Sequence, residues 1–322
     1  MPDLSIVIVN WNVRDLLRRC LNSVLSSSQY PAAGIEVIVV DNGSSDGSVE
    51  MVRAEFPGVH LIANAENRGF PAANNQGLAV ARGRYVLLLN PDTEVVRDAL
   101  ATMVAFADAH PDVGMVGPQL LNSDGSVQSS RRRFPTLATA FFESTWLARY
   151  APRRLLERYE FLDQSDDVTQ DVDWLYGAAL MARREAIEQV GPMDEGYFMY
   201  SEELDWCRRF RESGAGSSGR RGWRVVYLPT AQVIHHEGKS SEQVVAARHT
   251  HFQTSKVRYF HKYHGRVVGE ALRLFLLGNY VWQLGLEGAK WLVGHKRPLR
   301  AQRIVAYLQV LRTGLRSPTR AA

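Results

Sequence analysis

The sequence predicts an α/β protein with a mostly parallel central sheet, followed by a C-terminal amphipathic helical extension. Two patterns carry that expectation. From residue 4 to residue 118, short apolar runs alternate with stretches of helical periodicity, the order in which βαβ units build a parallel sheet. Beyond about residue 250 the short runs stop and long helical patterns take over.

Taken in order, apolar runs at 4–9, 36–40, 59–62 and 85–89 read as strands, each followed by a helical pattern, at 13–25, 48–55, 72–81 and 97–109. Residues 119–245 are mixed. Asn122-Ser123-Asp124-Gly125 predicts a hairpin turn, Arg131-Arg132-Arg133 is a basic stretch, and 175–182 is apolar. A helix is expected over 203–211 and a further strand at 225–229. Residues 213–219 are all Ser, Gly or Ala, a flexible loop by composition. No internal repeat is visible.

With 322 residues and 45% apolar content, the chain can bury one sizeable core. Cys20 and Cys207 match no metal or redox spacing and are too few for a disulfide framework. A reducing compartment is therefore expected, and with no basic leader or cleavage site at the start, a cytoplasmic one. The most apolar late segment, 275–293, is broken by Glu287 and Lys290 and falls short of a membrane span. The formal charge of +4 is unevenly spread, with thirteen Lys and Arg against two Glu from residue 251 onward. That excess alternates with Leu, Trp, Phe and Val and forms no nucleic-acid reading motif, so nucleic acid is not the expected partner.

In parallel sheets ligands bind beyond the carboxyl ends of the strands, which puts Asn10, Asp41, Asn64 and Asn90-Pro91-Asp92 first in line. In Asp41-Asn42-Gly43-Ser44-Ser45-Asp46 a carboxylate at the strand end suits the imide N–H of a pyrimidine, and the same residues suit a plain strand-ending turn. Asn67-Arg68-Gly69 precedes Asn74-Asn75, read as a helix opening that offers free amide donors; Asn clusters also cap helices routinely. Asp92, delivered by a buried strand after a proline, suits a hard cation or a helix cap.

Further on, Glu202-Glu203-Leu204-Asp205 sits among aromatics. One such carboxylate in a partly dry site can take a proton from a hydroxyl, and an acidic first helical turn with an Asp205–Arg209 surface pair explains the same residues. His235-His236 follows the strand at 225–229, where a neutral imidazole suits a cation site or a diphosphate and one of the pair would be solvated.

The order of these segments resembles the family 2 glycosyltransferases, especially bacterial rhamnosyltransferases of cell-wall and O-antigen assembly. The resemblance runs from residue 4 to about 240. It rests on Ile6-Val7-Ile8-Val9-Asn10-Trp11-Asn12, on Val39-Val40-Asp41-Asn42-Gly43-Ser44, on Asn67-Arg68-Gly69-Phe70 with Asn74-Asn75, and on Asn90-Pro91-Asp92. Gly177, Arg183-Arg184, Asp194-Glu195, Glu202-Glu203-Leu204-Asp205 and His235 with Gly238 and Ser240 complete it.

The resemblance implies a GT-A fold, the nucleotide-diphospho-sugar transferase architecture, and an inverting, metal-dependent transfer. Residues 1–250 would form the catalytic domain, with a nucleotide-binding half at 1–118 and an acceptor half at 119–250, and 251–322 a basic amphipathic tail. The donor, dTDP- or UDP-linked with dTDP-L-rhamnose foremost, would be held by Asn10, Asp41, Asn42, Asp46, Asn67, Arg68, Gly69, Asn74, Asn90 and Gly177. Asp92 and His235 would bind Mg2+ or Mn2+. Glu203 would be the general base, with Glu202 and Asp205 beside it.

Two positions depart from the family pattern, Asn90 and Glu203, where many relatives carry Asp. A neutral Asn binds a divalent ion less strongly, which shifts affinity onto the donor phosphates. The acceptor would be a glycan or a polyprenyl-diphosphate-linked sugar. The tail fits an anionic membrane surface on the inner face of the cell membrane, or packs on the catalytic domain. A sugar nucleotidyltransferase is the second enzymatic reading, although its glycine-rich N-terminal loop is replaced by Asn10-Trp11-Asn12-Val13-Arg14. A non-catalytic, membrane-associated carbohydrate-binding scaffold is the third.

Overall fold

The computed structural model describes residues 2–27, 34–143, 145–213, 222–236 and 245–316. The expected loop beyond Ser213, and Gly238 with Ser240, lie outside the described residues. Along the chain come β1 (Leu4–Asn10), α1 (Arg14–Leu25), β2 (Ile35–Asp41), α2 (Ser48–Glu55), β3 (His60–Ala63) and α3 (Phe70–Val80). Then follow β4 (Tyr85–Leu89), β5 (Thr93–Val95), α4 (Ala99–Ala109), β6 (Val113–Leu121), β7 (Val127–Gln128) and β8 (Arg131–Arg132). After α5 (Leu137–Phe142) and α6 (Arg153–Tyr159) come β9 (Gln170–Asp171), β10 (Trp174–Leu175), β11 (Ala179–Arg183) and α7 (Arg184–Val190). The last elements are α8 (Glu202–Glu212), β12 (Arg224–His235), α9 (Val245–His264), α10 (Arg266–Leu292) and α11 (Arg297–Thr313).

The chain divides into two compact units. The first takes Met1–Phe134, Glu160–Glu195 and Glu203–Ser240, and the second takes Pro135–Tyr159, Gly196–Glu202 and Ser241–Ala322. Residues 135–159 thus join the C-terminal helices.

In the first unit the sheet order is β3-β2-β1-β4-β11-β6-β12-β5. The pairs β3–β2, β2–β1 and β1–β4 are parallel, as is β6–β12, while β11 and β5 run against their neighbours. Every residue of β1 and β4 is buried, as expected of parallel strands covered on both faces. Leu4, Ile6 and Ile8 join Leu17, Leu21, Leu87, Met103 and Val226 in the core.

Three boundaries differ from the sequence expectation. Helix α3 begins at Phe70, two residues early, because Gly69 at φ +87° turns the chain and Pro71 fits a first helical turn. The apolar run at 175–182 splits into β10 and β11. Strand β12 is longer than expected and passes Pro229 through a register shift between Leu228 and Gln232, where a residue without an N–H breaks no ladder bond.

In the second unit α9, α10 and α11 pack together. Tyr280 meets Tyr307 with ring centroids 5.5 Å apart, and Arg300 pairs with buried Glu287 at 2.7 Å. Residues 135–159 are tied in by Phe141 edge-on to Phe275, by Lys256–Glu143 at 2.7 Å, and by the Trp146 N–H donating to Asn279 Oδ1. One face of α10 has no cover of this kind: its exposed residues from 267 to 289 are Val267, Ala271, Leu274, Gly278, Val281, Trp282, Gly285, Leu286 and Ala289, none of them charged. Among the described residues no helix is long and apolar enough to cross a membrane.

Candidate active site

The parallel register sets Asn10 beside Asp41 at the carboxyl ends of β1 and β2. Asn10 Nδ2 donates to Asp41 Oδ2 at 2.9 Å and to Ser44 Oγ at 3.1 Å, and the Ser44 N–H donates to Asp41 Oδ1 at 2.9 Å. Asp41 is 1% exposed, and Asn10 Oδ1 is buried with no partner among the described residues. An orphaned carbonyl oxygen in a dry site is costly unless a ligand donates to it. Asp46 accepts from the Arg14 N–H at 2.7 Å and from Ser48 Oγ at 2.6 Å. Partial burial pushes its pKa up, and these hydrogen bonds outweigh that push and hold it below the ordinary value. The turn between them requires Gly43, at φ +80°, where a Cβ would lie 2.8 Å from the Glu66 backbone.

Asn42 links this turn to the next loop. Its Nδ2 donates to Asn67 Oδ1 at 2.9 Å and to the Gly69 carbonyl, and its Oδ1 accepts from the Arg68 N–H at 3.0 Å. The Arg68 side chain is exposed. With α3 starting at Phe70, Asn74 and Asn75 lie in its second turn instead of opening it. Asn74 Nδ2 donates to the Phe70 carbonyl and Asn75 Nδ2 to the Met193 carbonyl, each at 2.9 Å. The expected helix opening, with its free backbone N–H groups, therefore lies at Phe70 and not at Asn74.

At the end of β4, the Asn90 N–H donates to the Ala178 carbonyl at 2.9 Å, and Asn90 Oδ1 is buried without a partner among the described residues. Asp92 follows, 5% exposed, with Oδ1 3.4 Å from His235 Nε2. On its other side His235 Nδ1 is 2.8 Å from Gln128 Oε1. An amide oxygen there accepts from Nδ1–H, so that in a neutral imidazole Nε2 would be the nitrogen that ligates a cation beside Asp92. A carboxylate oxygen and an imidazole nitrogen 3.4 Å apart, with the Asn90 amide oxygen two residues before Asp92, are donor types suited to a divalent cation such as Mn2+. Among the described residues no group of three His, Cys, Asp or Glu could hold a metal, so any such ion draws its remaining ligands from elsewhere. One of the two histidines is expected to be solvated; His235 is buried, and His236 is held between Ser123 Oγ at 2.7 Å and Glu94 Oε1 at 2.8 Å.

The acidic segment divides three ways. Glu202, 4% exposed, opens α8. Asp205 is fully buried and accepts from Arg209 Nε at 2.9 Å, while Arg209 also donates to the Val190 and Pro192 carbonyls. The Asp205–Arg209 pair therefore braces the interior and is not the surface pair its spacing suggests. Glu203 Oε2 is buried with no partner among the described residues, and burial pushes the carboxyl's pKa up to about 7. Beside it lies Gly177, on which a Cβ would sit 3.6 Å from Glu203 Cβ and Cγ.

Asn10, Asp41, Asn90, Asp92, His235 and Gly177 share one rim of the sheet, where β1, β2, β4 and β12 end and β11 begins. Ser44 and Gln128 were not singled out from the sequence. Ser44 lay in plain view of Asp41, whereas Gln128 reaches His235 across 107 residues and leaves no local signal.

The sequence profile of glycosyl transferase family 2 matches residues 5–191, more than half of the chain. The N-acetylglucosaminyl-diphospho-decaprenol L-rhamnosyltransferase of Mycobacterium tuberculosis is 31% identical over 252 residues, 74% of this chain and 77% of that protein. Succinoglycan biosynthesis protein ExoO of Rhizobium meliloti is 30% identical, over 66% of this chain and 64% of its own. Among solved structures, mannosyltransferase PcManGT from Pyrobaculum calidifontis, in complex with GDP-Man and Mn2+, superposes with a TM-score of 0.55 at 19% identity, covering 96% of this chain and 87% of its own. GalNAc-T7 with UDP, GalNAc and Mn2+ gives 0.52 at 16%, over 73% of this chain and 44% of its own. Both structures are glycosyltransferases, and their likeness carries the fold. With the matched profile and the mycobacterial relative, it establishes that this chain is a GT-A-fold glycosyltransferase and belongs to glycosyl transferase family 2.

Proposed function

We propose that the chain transfers a sugar, L-rhamnose from dTDP-L-rhamnose foremost, to a hydroxyl of a polyprenyl-diphosphate-linked glycan, with inversion. The observation that carries the chemistry is Glu203, whose Oε2, buried and without a partner among the described residues, and raised pKa suit a general base working near neutral pH. The nature of donor and acceptor rests on the likeness to the mycobacterial rhamnosyltransferase. Glu203 Oε2 takes the proton of the acceptor hydroxyl as that oxygen bonds to the anomeric carbon from the face opposite the departing nucleoside diphosphate. A single displacement inverts the centre.

Asn10 Oδ1 and the Asp41 turn meet the pyrimidine. Asn42 holds the two donor-side loops together, and Gly177 leaves room beside the base. Asp92 and His235, with Asn90 Oδ1, would hold a divalent cation, Mg2+ or Mn2+, which when bound neutralises charge on the leaving diphosphate. The nucleotidyltransferase reading gains no support from a glycosyl transferase profile, and metal-dependent donor hydrolysis separates an enzyme from a carbohydrate-binding scaffold.

A thermal-shift screen of dTDP-L-rhamnose, UDP- and GDP-linked sugars, with and without Mn2+, tests the donor. The donor should raise the melting temperature, since a ligand at one hundred times its Kd adds about 2.7 kcal/mol. Asp41→Asn should weaken dTDP binding by roughly 1.5 to 3 kcal/mol, the range of a hydrogen bond to a charged group. Unchanged affinity in calorimetry would leave Asp41 a turn residue only.

The uncharged face of α10 supports a place on the inner face of an anionic membrane. Leu274, Val281 and Trp282 are 61%, 58% and 57% exposed, and exposed Lys262 and Arg266 stand at one end with Lys290, Lys296 and Arg297 at the other. An apolar stripe with basic ends matches anionic headgroups. Deleting the tail would strip out buried Tyr259, Leu272 and Val310, so the cleaner test is the Leu274→Asp/Trp282→Glu double variant. Full-length protein should sediment with phosphatidylglycerol vesicles and the double variant should not. Equal sedimentation of the two, or none by the wild type, would refute the membrane reading.

A further inference from the structure

A two-stranded clasp, β8 with β10, adjoins the base without belonging to any cluster described so far. The strands pair antiparallel, with Trp174 opposite Arg132 and Leu175 opposite Arg131. Side chains alternate along a strand. Trp174 and Arg132 therefore share one face with Tyr176, two residues on, while Leu175 and Arg131 take the other.

The two faces meet different fates. Arg131, 2% exposed, is committed to the Ser165 and Gln164 carbonyls and to Asp166, and Leu175 is buried beside it. On the opposite face Tyr176 is 37% exposed, with its ring stacked on Trp174 at 6.1 Å and 17°. The Arg132 guanidinium lies 5.8 Å from the Tyr176 ring centre. Among the described residues it is anchored through Nη1, to Ser129 Oγ at 2.7 Å, the Arg131 carbonyl at 2.8 Å and the Ser129 carbonyl at 3.3 Å. Arg132 Nε and Nη2 have no hydrogen-bond partner among the described residues, which leaves them to a ligand. The Tyr176 N–H donates to the Ser130 carbonyl, which fixes the step into Gly177, the residue beside Glu203.

An exposed aromatic ring suits the apolar face of a pyranose, and a guanidinium with two uncommitted donors suits a phosphate oxygen pair. A group one residue from the neighbour of the base meets the molecule whose hydroxyl the base deprotonates. We propose that Tyr176 and Arg132 form the acceptor subsite, with Tyr176 stacking on the sugar that bears the attacking hydroxyl and Arg132 pairing with a phosphate attached to that sugar. This rests on Glu203 being the base.

Two soluble acceptors separate the roles: N-acetylglucosaminyl diphosphate on a short alkyl chain, and the alkyl glycoside without phosphate. Arg132→Ala should raise KM for the diphosphate acceptor roughly 10- to 100-fold and leave KM for the neutral one in place. Arg132→Lys should restore part of the loss, and Tyr176→Ala should raise KM for both. Donor affinity, read by calorimetry, should stay within about two-fold of wild type. Unchanged acceptor KM in folded variants would overturn the subsite, as would donor affinity falling in parallel, which would place Arg132 on the donor diphosphate. Direct titration of the diphosphate acceptor into wild type and Arg132→Ala provides a readout independent of turnover. A wild type that binds this acceptor through Arg132 and transfers no sugar would leave the subsite standing and sink the functional reading instead, while equal binding by the two proteins would sink the subsite.

Discussion

Glu203→Gln is expected to bind donor as the wild type does and to lose on the order of 10² to 10⁴ in turnover. The substitution keeps the shape and removes only the proton acceptor. Asp205 is not a substitute: it is committed to Arg209, so Asp205→Asn should lower the melting temperature far more than it lowers turnover per folded molecule. If Glu203→Gln transfers sugar at near the wild-type rate while Glu202→Gln is dead, the base is Glu202.

The raised pKa gives the same variant a second signature. Burial lifts Glu203 from an ordinary 4.5 to about 7, so the wild-type transfer rate should rise with pH through an apparent pKa near 7 as the base form appears. Stability runs the other way. Between pH 4.5 and 7 the unfolded chain ionises this carboxyl while the folded chain keeps its proton, so the stability of the neutral form is whole below about 4.5 and lost as pH rises to about 7. At pH 8 that loss is on the order of 3 kcal/mol, taking about 1.4 kcal/mol per pKa unit. Gln carries no such penalty, and Glu203→Gln should melt higher than wild type at pH 8 with the gap closing by pH 5. A gap independent of pH would place Glu203 in a wetter setting than its burial implies.

The sheet was legible in the sequence because its strands are buried on both faces and read as unbroken apolar runs, as residues 85–89 illustrate. Where local pattern and tertiary need disagree, the sequence was a poorer guide. Asp205 and Arg209 have the spacing of a surface helix pair, and only the packing of α8 buries Asp205 while Arg209 stays 22% exposed. Asn74 and Asn75 looked like a helix opening because the turn at Gly69 and Pro71 starts the helix earlier than its apolar spacing suggests. The acids of the site are visible one by one at strand ends. Their partners are not, since the pairing of Asp92 with His235, and of His235 with Gln128, depends on β12 returning beside β5 and β6 more than a hundred residues later.

Asp92→Ala is expected to abolish Mn2+-dependent turnover and leave the fold in place. Asp92 is 5% exposed and its carboxylate faces an imidazole; the backbone link to β12, where the Asp92 carbonyl accepts from the His236 N–H at 2.8 Å, survives the substitution. What is lost is the one anionic oxygen donor among Asp92, His235 and Asn90. The remaining imidazole and neutral amide hold a divalent ion weakly. Without charge compensation at the leaving diphosphate, a loss at least as large as the 10²- to 10³-fold typical of removing one preorganised stabilising group follows. Asn90→Asp works in the opposite sense, adding an anionic oxygen where a neutral one is now orphaned, and should lower the Mn2+ concentration needed for half-maximal rate. Thermal melts with and without Mn2+ and donor separate binding from folding: wild type should gain stability from the pair, and Asp92→Ala should melt normally alone and gain little. A variant that unfolds, or one that keeps wild-type activity and its Mn2+ response, would remove Asp92 from the metal site.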